Sequence, residues 1–341
     1  VIVQANESTV VLGIETSCDE TAAAVVMGGN DVLSSVVSSQ IDEHARFGGV
    51  VPEIASRAHL ESMVPVIRKA LDDAGIGFER VDAVAATAGP GLIGALLVGV
   101  SAAKSIALAI DAPFVAVNHL EAHLYAALLD DPTASFPMLV LLVSGGNTLL
   151  VHVERHGHYR IVGQTIDDAA GEAFDKVARF LELPHPGGPS IDREARNGNS
   201  QAIAFPRAML HDGLNVSFSG LKTAVINHVR AHHDVATADV AASFQQAVVD
   251  VLVAKTVRAA KETGMRTIAL GGGVAANSLL REAMAQVAHE HGWHLVLPSR
   301  AMCTDNAAMI ASAAWFRLRD DGASTLDVGA YPNLKLGDPI Q

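Results

Sequence analysis

Two histidines at helical spacing, His119 and His123, sit in the run NHLEAHLYAALL directly after a short apolar strand, Phe114 to Val117. Positions i and i+4 differ by about 40° around a helix, so both rings can reach one metal ion. A third donor, Asp305, lies just after the strand His294 to Leu297 in the second half of the chain, again near a helix start. Three donors from matching positions of two lobes would place a metal on the axis of the cleft between them. The run HLEAH looks like the zincin signature HExxH, but its Glu is third rather than second. Glu121 falls about 200° from His119 around the helix, pointing away from a metal held by the two rings, and cannot act as the zincin base. His228 and His232 share the spacing but lack a preceding strand, and read as a surface face.

A second chemistry is anion binding. A strand, a Gly-rich turn and a helix N-terminus together present unpaired N–H groups and a favourable dipole to a phosphate. GPGLIG (Gly89 to Gly94) and GGGVAAN (Gly271 to Asn277) both fit that description. Neither is a P-loop or a dinucleotide fingerprint, so each is also readable as a tight turn. Asp175 in GEAFDK reads as a solvated helix residue, and Asp192 in PGGPSID as one that caps or starts a helix. Cys18 has no visible base beside it, and Cys303 is read the same way, as structural.

The elements that must position these groups alternate between strand and helix. Val10 to Thr16 and Thr21 to Met27 form strands around a polar turn, SCDE, and Val32 to Ser39 a third. A helix runs from Pro52 to Ala74, with proline in its favourable first turn. The strand Val81 to Thr87 precedes GPGLIG and a helix to about Ala109. The second half repeats this order: Met138 to Val143 and Thr148 to Val153 around SGGN, then Thr267 to Leu270, GGGVAAN and a helix, then His294 to Leu297 and a helix from about Thr304. The Gly-rich turns at Gly89 and Gly271 and the strand ends at Val117 and Leu297 share nearly the same offset. The hairpin turns at Ser17 and Ser144 lie closer together, which places an inserted segment near Asp167 to Ser219. The expectation is a duplicated α/β protein, residues 1–130 forming one lobe and 131–341 the other, with the C-terminal helix free to pack back onto the first.

Composition bounds the class. Half of the 341 residues are hydrophobic, which excludes a disordered chain, and 24 Lys plus Arg against 37 Asp plus Glu give a net charge of −13. That excess of acid argues against a general nucleic-acid coat, which needs clustered cations. Two cysteines cannot build a disulfide framework and fit a reducing compartment. VIVQANEST lacks the basic and apolar regions of a secretory leader, and the most apolar stretch, Gly91 to Ile110, carries Lys104. A cytoplasmic protein without membrane contact is expected.

Taken together and in order, ETSCDET, VPEIASRAH, GPGLIGALLVG, NHLEAH, LLVSGGNT, GEAFDKVA, HPGGPSID, FSGLKTAV, GGGVAANSLLR and TDNAAMIA resemble the motifs of the TsaD family, bacterial type. These are tRNA threonylcarbamoyladenosine transferases of the actin, Hsp70 and sugar-kinase fold superfamily, and the resemblance spans nearly the whole chain. It implies metal ligation by His119, His123 and Asp305, with Fe(2+) or Zn(2+) as the ion. It implies substrate and nucleotide contacts at Leu142, Val143, Ser144, Gly145, Gly146, Asp175, Gly188, Asp192 and Asn277. The implied reaction is transfer of the threonylcarbamoyl group from threonylcarbamoyl-AMP to N6 of the adenosine 3′ of the anticodon, in tRNAs reading codons that start with A. AMP is released and no covalent enzyme intermediate forms. Implied partners are tRNA, a TsaB-like paralogue and a TsaE-like ATPase. Two departures from the family pattern stand out, Ala122 where many members have Gly and Asn147 where many have His. The competing readings are an ATP-dependent small-molecule kinase of the same fold and a nucleotide-switched scaffold protein.

Overall fold

The computed structural model of the chain describes residues 5–131 and 133–340. Residues 1–4, part of the segment read for a leader, lie outside them. Contacts divide the chain into two compact units, one built from residues up to Thr133 with His156–His158 and everything from Thr304 onward, the other from Ala134–Arg155 and Tyr159–Cys303.

The first unit carries β1 (Val10–Glu15), β2 (Glu20–Met27), β3 (Asp31–Ser39), α1 (Ile41–Ala45), α2 (Pro52–Ala74), β4 (Ala83–Gly89), α3 (Ile93–Ala109), β5 (Phe114–Asn118) and α4 (His119–Asp130). Its sheet has the order β3-β2-β1-β4-β5, with β1 antiparallel to β2 and parallel to β4. Every residue of β1 is buried, as expected of a strand covered on both faces. Proline sits at the start of α2, and Gly75 in the left-handed conformation ends it, donating its N–H to the carbonyls of Asp72 and Leu71.

The second unit carries β6 (Met138–Val143), β7 (Thr148–Arg155), β8 (His158–Gln164), α5 (Ala170–Phe180), α6 (Gly187–Ala195), α7 (Ser219–Ala231), α8 (Thr237–Thr263), β9 (Thr267–Gly271), α9 (Ser278–His291), β10 (His294–Val296) and α10 (Arg300–Cys303). Its sheet order is β10-β9-β6-β7-β8, the order of the first sheet with each strand replaced by its counterpart. β6 is likewise antiparallel to β7 and parallel to β9. The duplication inferred from turn offsets is therefore present in topology. The sequence reading lacked β8, the counterpart of β3. HYRIVGQ is an edge strand with a single buried residue, so it carries almost no apolar pattern to read. The reading also left α7 and α8 unassigned. By length and composition α8 is apolar enough to cross a membrane, but most of it is buried within this unit, where Phe244, Val248 and Leu252 join the core.

The last helix, α11 (Ala307–Asp320), returns to the first unit. Leu12 and Ile14 point into the core shared with α2 and α3, so by strand alternation Gly13 faces the other way, onto α11. A Cβ at Gly13 would lie 2.5 Å from the Ala307 carbonyl oxygen and 2.8 Å from the Ala311 nitrogen. Both are backbone atoms, so the helix must retreat to admit a methyl. Gly13→Ala is expected to cost about 1–3 kcal/mol through overpacking, read as a lower urea midpoint. An unchanged midpoint would show that α11 does not bear on β1.

Candidate metal centre and adjoining turns

Asn118 sets the start of α4. Its side-chain oxygen accepts from the Leu120 N–H (2.9 Å) and the Glu121 N–H (3.3 Å), while its amide nitrogen donates to the Lys335 carbonyl (2.8 Å). His119 is thereby the first helical residue and His123 lies one turn on, their ring centroids 4.8 Å apart and nearly perpendicular. Asp305 is presented next to them because Asn306 caps α11 through the Met309 N–H, and α11 packs against α4. Although Asp305 stands in the second half of the sequence, all three donors belong to the first unit.

Asp305 Oδ1 lies 3.4 Å from His119 Nε2 and 3.3 Å from His123 Nε2. Bonds of about 2.0–2.2 Å in a tetrahedron imply a ligand–ligand edge of about 3.4 Å, which these two separations match, and all three donor atoms lie within 4.8 Å of one another. The His123 ring is fully buried, and beyond the approach of Asp305 neither of its nitrogens finds a hydrogen-bond partner among the described residues. A buried imidazole so poorly satisfied is costly unless something else takes its lone pair. His119 and Asp305 keep a partly exposed edge, so a ligand held here would meet substrate from that side. Two histidines and one carboxylate suit Fe(2+) or Zn(2+) and leave coordination positions open. This is the one group of three or more such donors among the described residues, and the residues fit the metal that the sequence implies. His228 and His232 gather no third donor among the described residues. Their rings stack at 4.3 Å, and His232 Nδ1 bonds to the His228 carbonyl.

The sequence reading missed Glu15. This fully buried carboxylate ends β1 and accepts a hydrogen bond from His119 Nδ1–H at 3.1 Å, which turns Nε2 toward Asp305. Thr87 Oγ1 donates to it at 2.5 Å, the Ser17 N–H donates to its other oxygen, and Ser17 Oγ lies 3.2 Å from His119 Nδ1. The signal was a lone carboxylate closing an otherwise apolar strand, VVLGIE. Burial opposes charge on His119, but Asp305 and Glu15 beside it hold its proton affinity well above the ordinary histidine value. Burial likewise opposes charge on Asp305, and the His119 imidazole outweighs it and holds the carboxyl below its usual range. The pocket thus favours positive charge at the position where the three donor atoms meet. Glu15→Gln should weaken metal binding about 10–100-fold while leaving all three ligands in place, as measured by chelator competition. Unchanged affinity would remove Glu15 from this role.

Cys18 comes next in the turn. Burial, with Asp19 and Asp305 nearby, pushes its thiol far above the normal range. The same burial, with Asp305 and Asp19, pushes the Glu20 carboxyl up to about 9. The first Gly-rich turn also departs from expectation. Its Gly91 and Leu92 N–H groups donate to the Pro332 and Ser17 carbonyls, so they hold the C-terminal segment and the SCDE turn together and are not free to bind an anion.

The remaining implied contacts lie in the second unit. Leu142 and Val143 are buried in β6 and can offer only backbone. The turn after them is closed by the Ser144 N–H on the Asn147 carbonyl (2.8 Å) and the Asn147 N–H on Ser144 Oγ (3.2 Å). Gly145 and Gly146 face open space, and the α5 N-terminus abuts the turn, with the Gly171 N–H 3.3 Å from the Ser144 carbonyl oxygen. Gly272 has φ +84°, and a Cβ there would lie 2.5 Å from the Val143 carbonyl oxygen, so only glycine lets this turn approach β6. Asp175 accepts from the Gly187 N–H (2.8 Å), with Gly188 open beside it, and burial raises its carboxyl above the usual range. Asp192 accepts from the Ser278 hydroxyl (2.6 Å) and N–H (3.2 Å), joining α6 to the start of α9. Asn277 caps α9 through the Leu280 N–H and donates to Gln245 Oε1 (2.8 Å).

Comparison with solved structures shows the fold. Component A of the (R)-2-hydroxyglutaryl-CoA dehydratase of Acidaminococcus fermentans aligns with TM-score 0.56 at 16% identity, covering 91% of this chain and 99% of that one. Full-length HypF aligns with TM-score 0.62 at 13% identity, covering 95% of this chain and 48% of the other. Both likenesses show the fold alone, an α/β architecture with two five-stranded sheets. Sequence relatives are far nearer. A tRNA N6-adenosine threonylcarbamoyltransferase of Clostridium perfringens is 50% identical over 337 residues, 97% of this chain and 99% of the relative. One of Symbiobacterium thermophilum is 53% identical over 330 residues, 96% and 97% of the two chains. The family model described as TsaD, tRNA N6-adenosine threonylcarbamoyltransferase, matches residues 31–312. With half its residues shared along nearly its full length, the chain belongs to the TsaD family of tRNA N6-adenosine threonylcarbamoyltransferases.

Proposed function

We propose that the chain transfers the threonylcarbamoyl group of threonylcarbamoyl-AMP to N6 of the adenosine 3′ of the anticodon, in tRNAs reading codons that start with A. The observation carrying this reading is a two-histidine, one-carboxylate donor set with open positions, in a chain half identical to relatives of that name. In the step, the adenosine amine forms a bond to the carbamoyl carbon, the bond from that carbon to the phosphate oxygen breaks, AMP leaves with the electron pair, and the amine loses a proton. The mixed anhydride is already activated, so no side chain need attack it. The high proton affinity of the Cys18 thiol fits that requirement.

His119, His123 and Asp305 would hold one divalent ion, Fe(2+) or Zn(2+), which when bound supplies Lewis acidity and a template for the threonylcarbamoyl group. Glu15 fixes the His119 tautomer. The Gly145 and Gly146 N–H groups of the turn carried by Leu142, Val143 and Ser144 would face the adenylate phosphate, next to the α5 N-terminus. Asp175 and Gly188 would face the ribose, while Asp192 and Asn277 keep α6, α8 and α9 in register around them.

A TsaB-like paralogue and a TsaE-like ATPase are the proposed partners, in the cytoplasm. Leu60 and Val64 on α2 are 66% and 62% exposed, and Ile93, Leu97 and Leu108 on α3, which packs against α2, are exposed too. An apolar helix pair of this kind fits a partner of the same fold presenting its own. A net charge of −13 further predicts that tRNA binding by the chain alone is weak and salt-sensitive. The test mixes metal-loaded protein, both partners, threonylcarbamoyl-AMP and unmodified tRNA, then measures AMP and the modified nucleoside. No product at any metal loading overturns the reading. Transfer of labelled phosphate from ATP to a small acceptor would instead favour the kinase alternative.

A further inference from the structure

Behind the SCDE turn lies a chain of buried polar side chains that the reaction does not use. The Val51 N–H donates to His44 Nδ1 (3.3 Å), and His44 Nε2 meets Gln40 Oε1 (3.1 Å). Gln40 Nε2 meets His59 Nδ1 (3.3 Å), where Thr21 Oγ1 also converges (2.8 Å), and His59 Nε2 meets the Cys18 carbonyl oxygen (3.0 Å). His44, Gln40, His59 and Thr21 are all buried, at most 3% exposed, so water does not compete for these contacts.

The two ends of this chain fix the tautomers of both rings and the orientation of the Gln40 amide between them. A backbone N–H can only donate, so His44 Nδ1 carries a lone pair and its Nε2 the proton. Gln40 must then turn its oxygen to His44 and its NH2 to His59. His59 Nδ1 accepts, and its Nε2–H donates to Cys18, whose carbonyl can only accept. Both ends demand the same orientation, which makes the relay self-consistent and both rings neutral. Burial lowers the His59 pKa, in line with a neutral ring.

The relay ends on the turn that shapes the metal centre. Cys18 directly follows Ser17, whose hydroxyl touches His119 Nδ1 and whose N–H bonds to Glu15. The Ser17 carbonyl, in turn, receives the Leu92 N–H. Within the turn, the His59 bond supplies a side-chain anchor from α2. We propose that His59, oriented by His44 and Gln40, is a positioning residue that holds the Ser17–Cys18 turn so that Glu15 and Ser17 aim His119 at the metal. The inference rests on the metal reading of His119, His123 and Asp305.

Two measurements test it. Ring 15N–1H correlation spectra of histidine-labelled protein, assigned with single histidine variants, should show His44 and His59 both protonated at Nε2. A proton on Nδ1 of either ring overturns the relay. Co2+ binding, followed by chelator competition and visible absorption, reads the effect on the site. His59→Gln can place an amide N–H near the Nε2 position and should stay within about threefold of wild type, whereas the shorter His59→Asn should bind about tenfold more weakly with an altered spectrum. Both are small polar replacements, and circular dichroism compares their folding. Equal affinity and spectra for wild type and His59→Asn overturn the inference alone. A wild-type protein that takes up no Co2+ overturns the metal reading, and the inference with it.

Discussion

His123→Ala should abolish tight metal binding and reduce modified-nucleoside formation at least about 100-fold, more than loss of an outer-shell partner. His123 is the donor whose ring is fully buried and whose nitrogens, the Asp305 approach apart, find no hydrogen bond among the described residues, so it contributes little apart from ligation. Alanine leaves His119 and Asp305 facing each other 3.4 Å apart, a pair that satisfies its own charges and has less need of a cation. The variant should therefore stay folded while losing metal, with metal content read by elemental analysis and transfer by nucleoside chromatography. Full activity in metal-free His123→Ala protein would mean the reaction proceeds without this centre, as the scaffold alternative requires.

Arg317→Ala should lower stability by about 3 kcal/mol, the lower end of the cost of breaking a buried ion pair. Arg317 Nη1 donates to Glu121 Oε2 at 2.7 Å, joining α11 to α4 between the two histidine ligands. The Glu121 side chain is 4% exposed and that of Arg317 20%, so the carboxylate cannot recover its lost partner from solvent while the arginine partly can. The contrast is Arg57 with Glu53, at 75% and 76% exposure, where truncation should cost only about 0.3–0.5 kcal/mol. Urea unfolding of both variants makes the comparison, and a loss below about 1 kcal/mol for Arg317→Ala would show that the pair is screened. Arg317→Lys should recover only part of the stability, because a point charge on a flexible stem replaces a planar fork. This ion pair is also the structural answer to the HExxH likeness, since Glu121 points away from the metal donors and into the helix interface.

Much of the molecule is legible in the sequence because the relevant signals are local. Apolar runs and Gly-rich or polar turns mark nearly every strand of both sheets, and Pro52 with Gly75 marks the ends of α2 within one residue. β8 escaped because an edge strand with one buried residue has no periodicity to detect. Glu15 escaped because a single carboxylate at a strand end has no spacing to read. The GPGLIG turn was readable as an anion site only while the partners of its N–H groups were out of view. Those partners, Ser17 and Pro332, are distant in sequence.

The same division holds at the metal centre. By itself the sequence determined that His119 and His123 share a helix face, because 3.6 residues per turn makes that a matter of counting. It also determined the family, through ten motifs in order, and an acidic net charge of −13. Only the tertiary structure decided that Asp305 joins the histidines within one unit, that Glu15 selects the His119 tautomer, and that Glu121 serves the packing of two helices. Those outcomes depend on where α11 docks, and docking is set by backbone approach at Gly13 and by burial of charges, energies that belong to pairs of residues hundreds of positions apart.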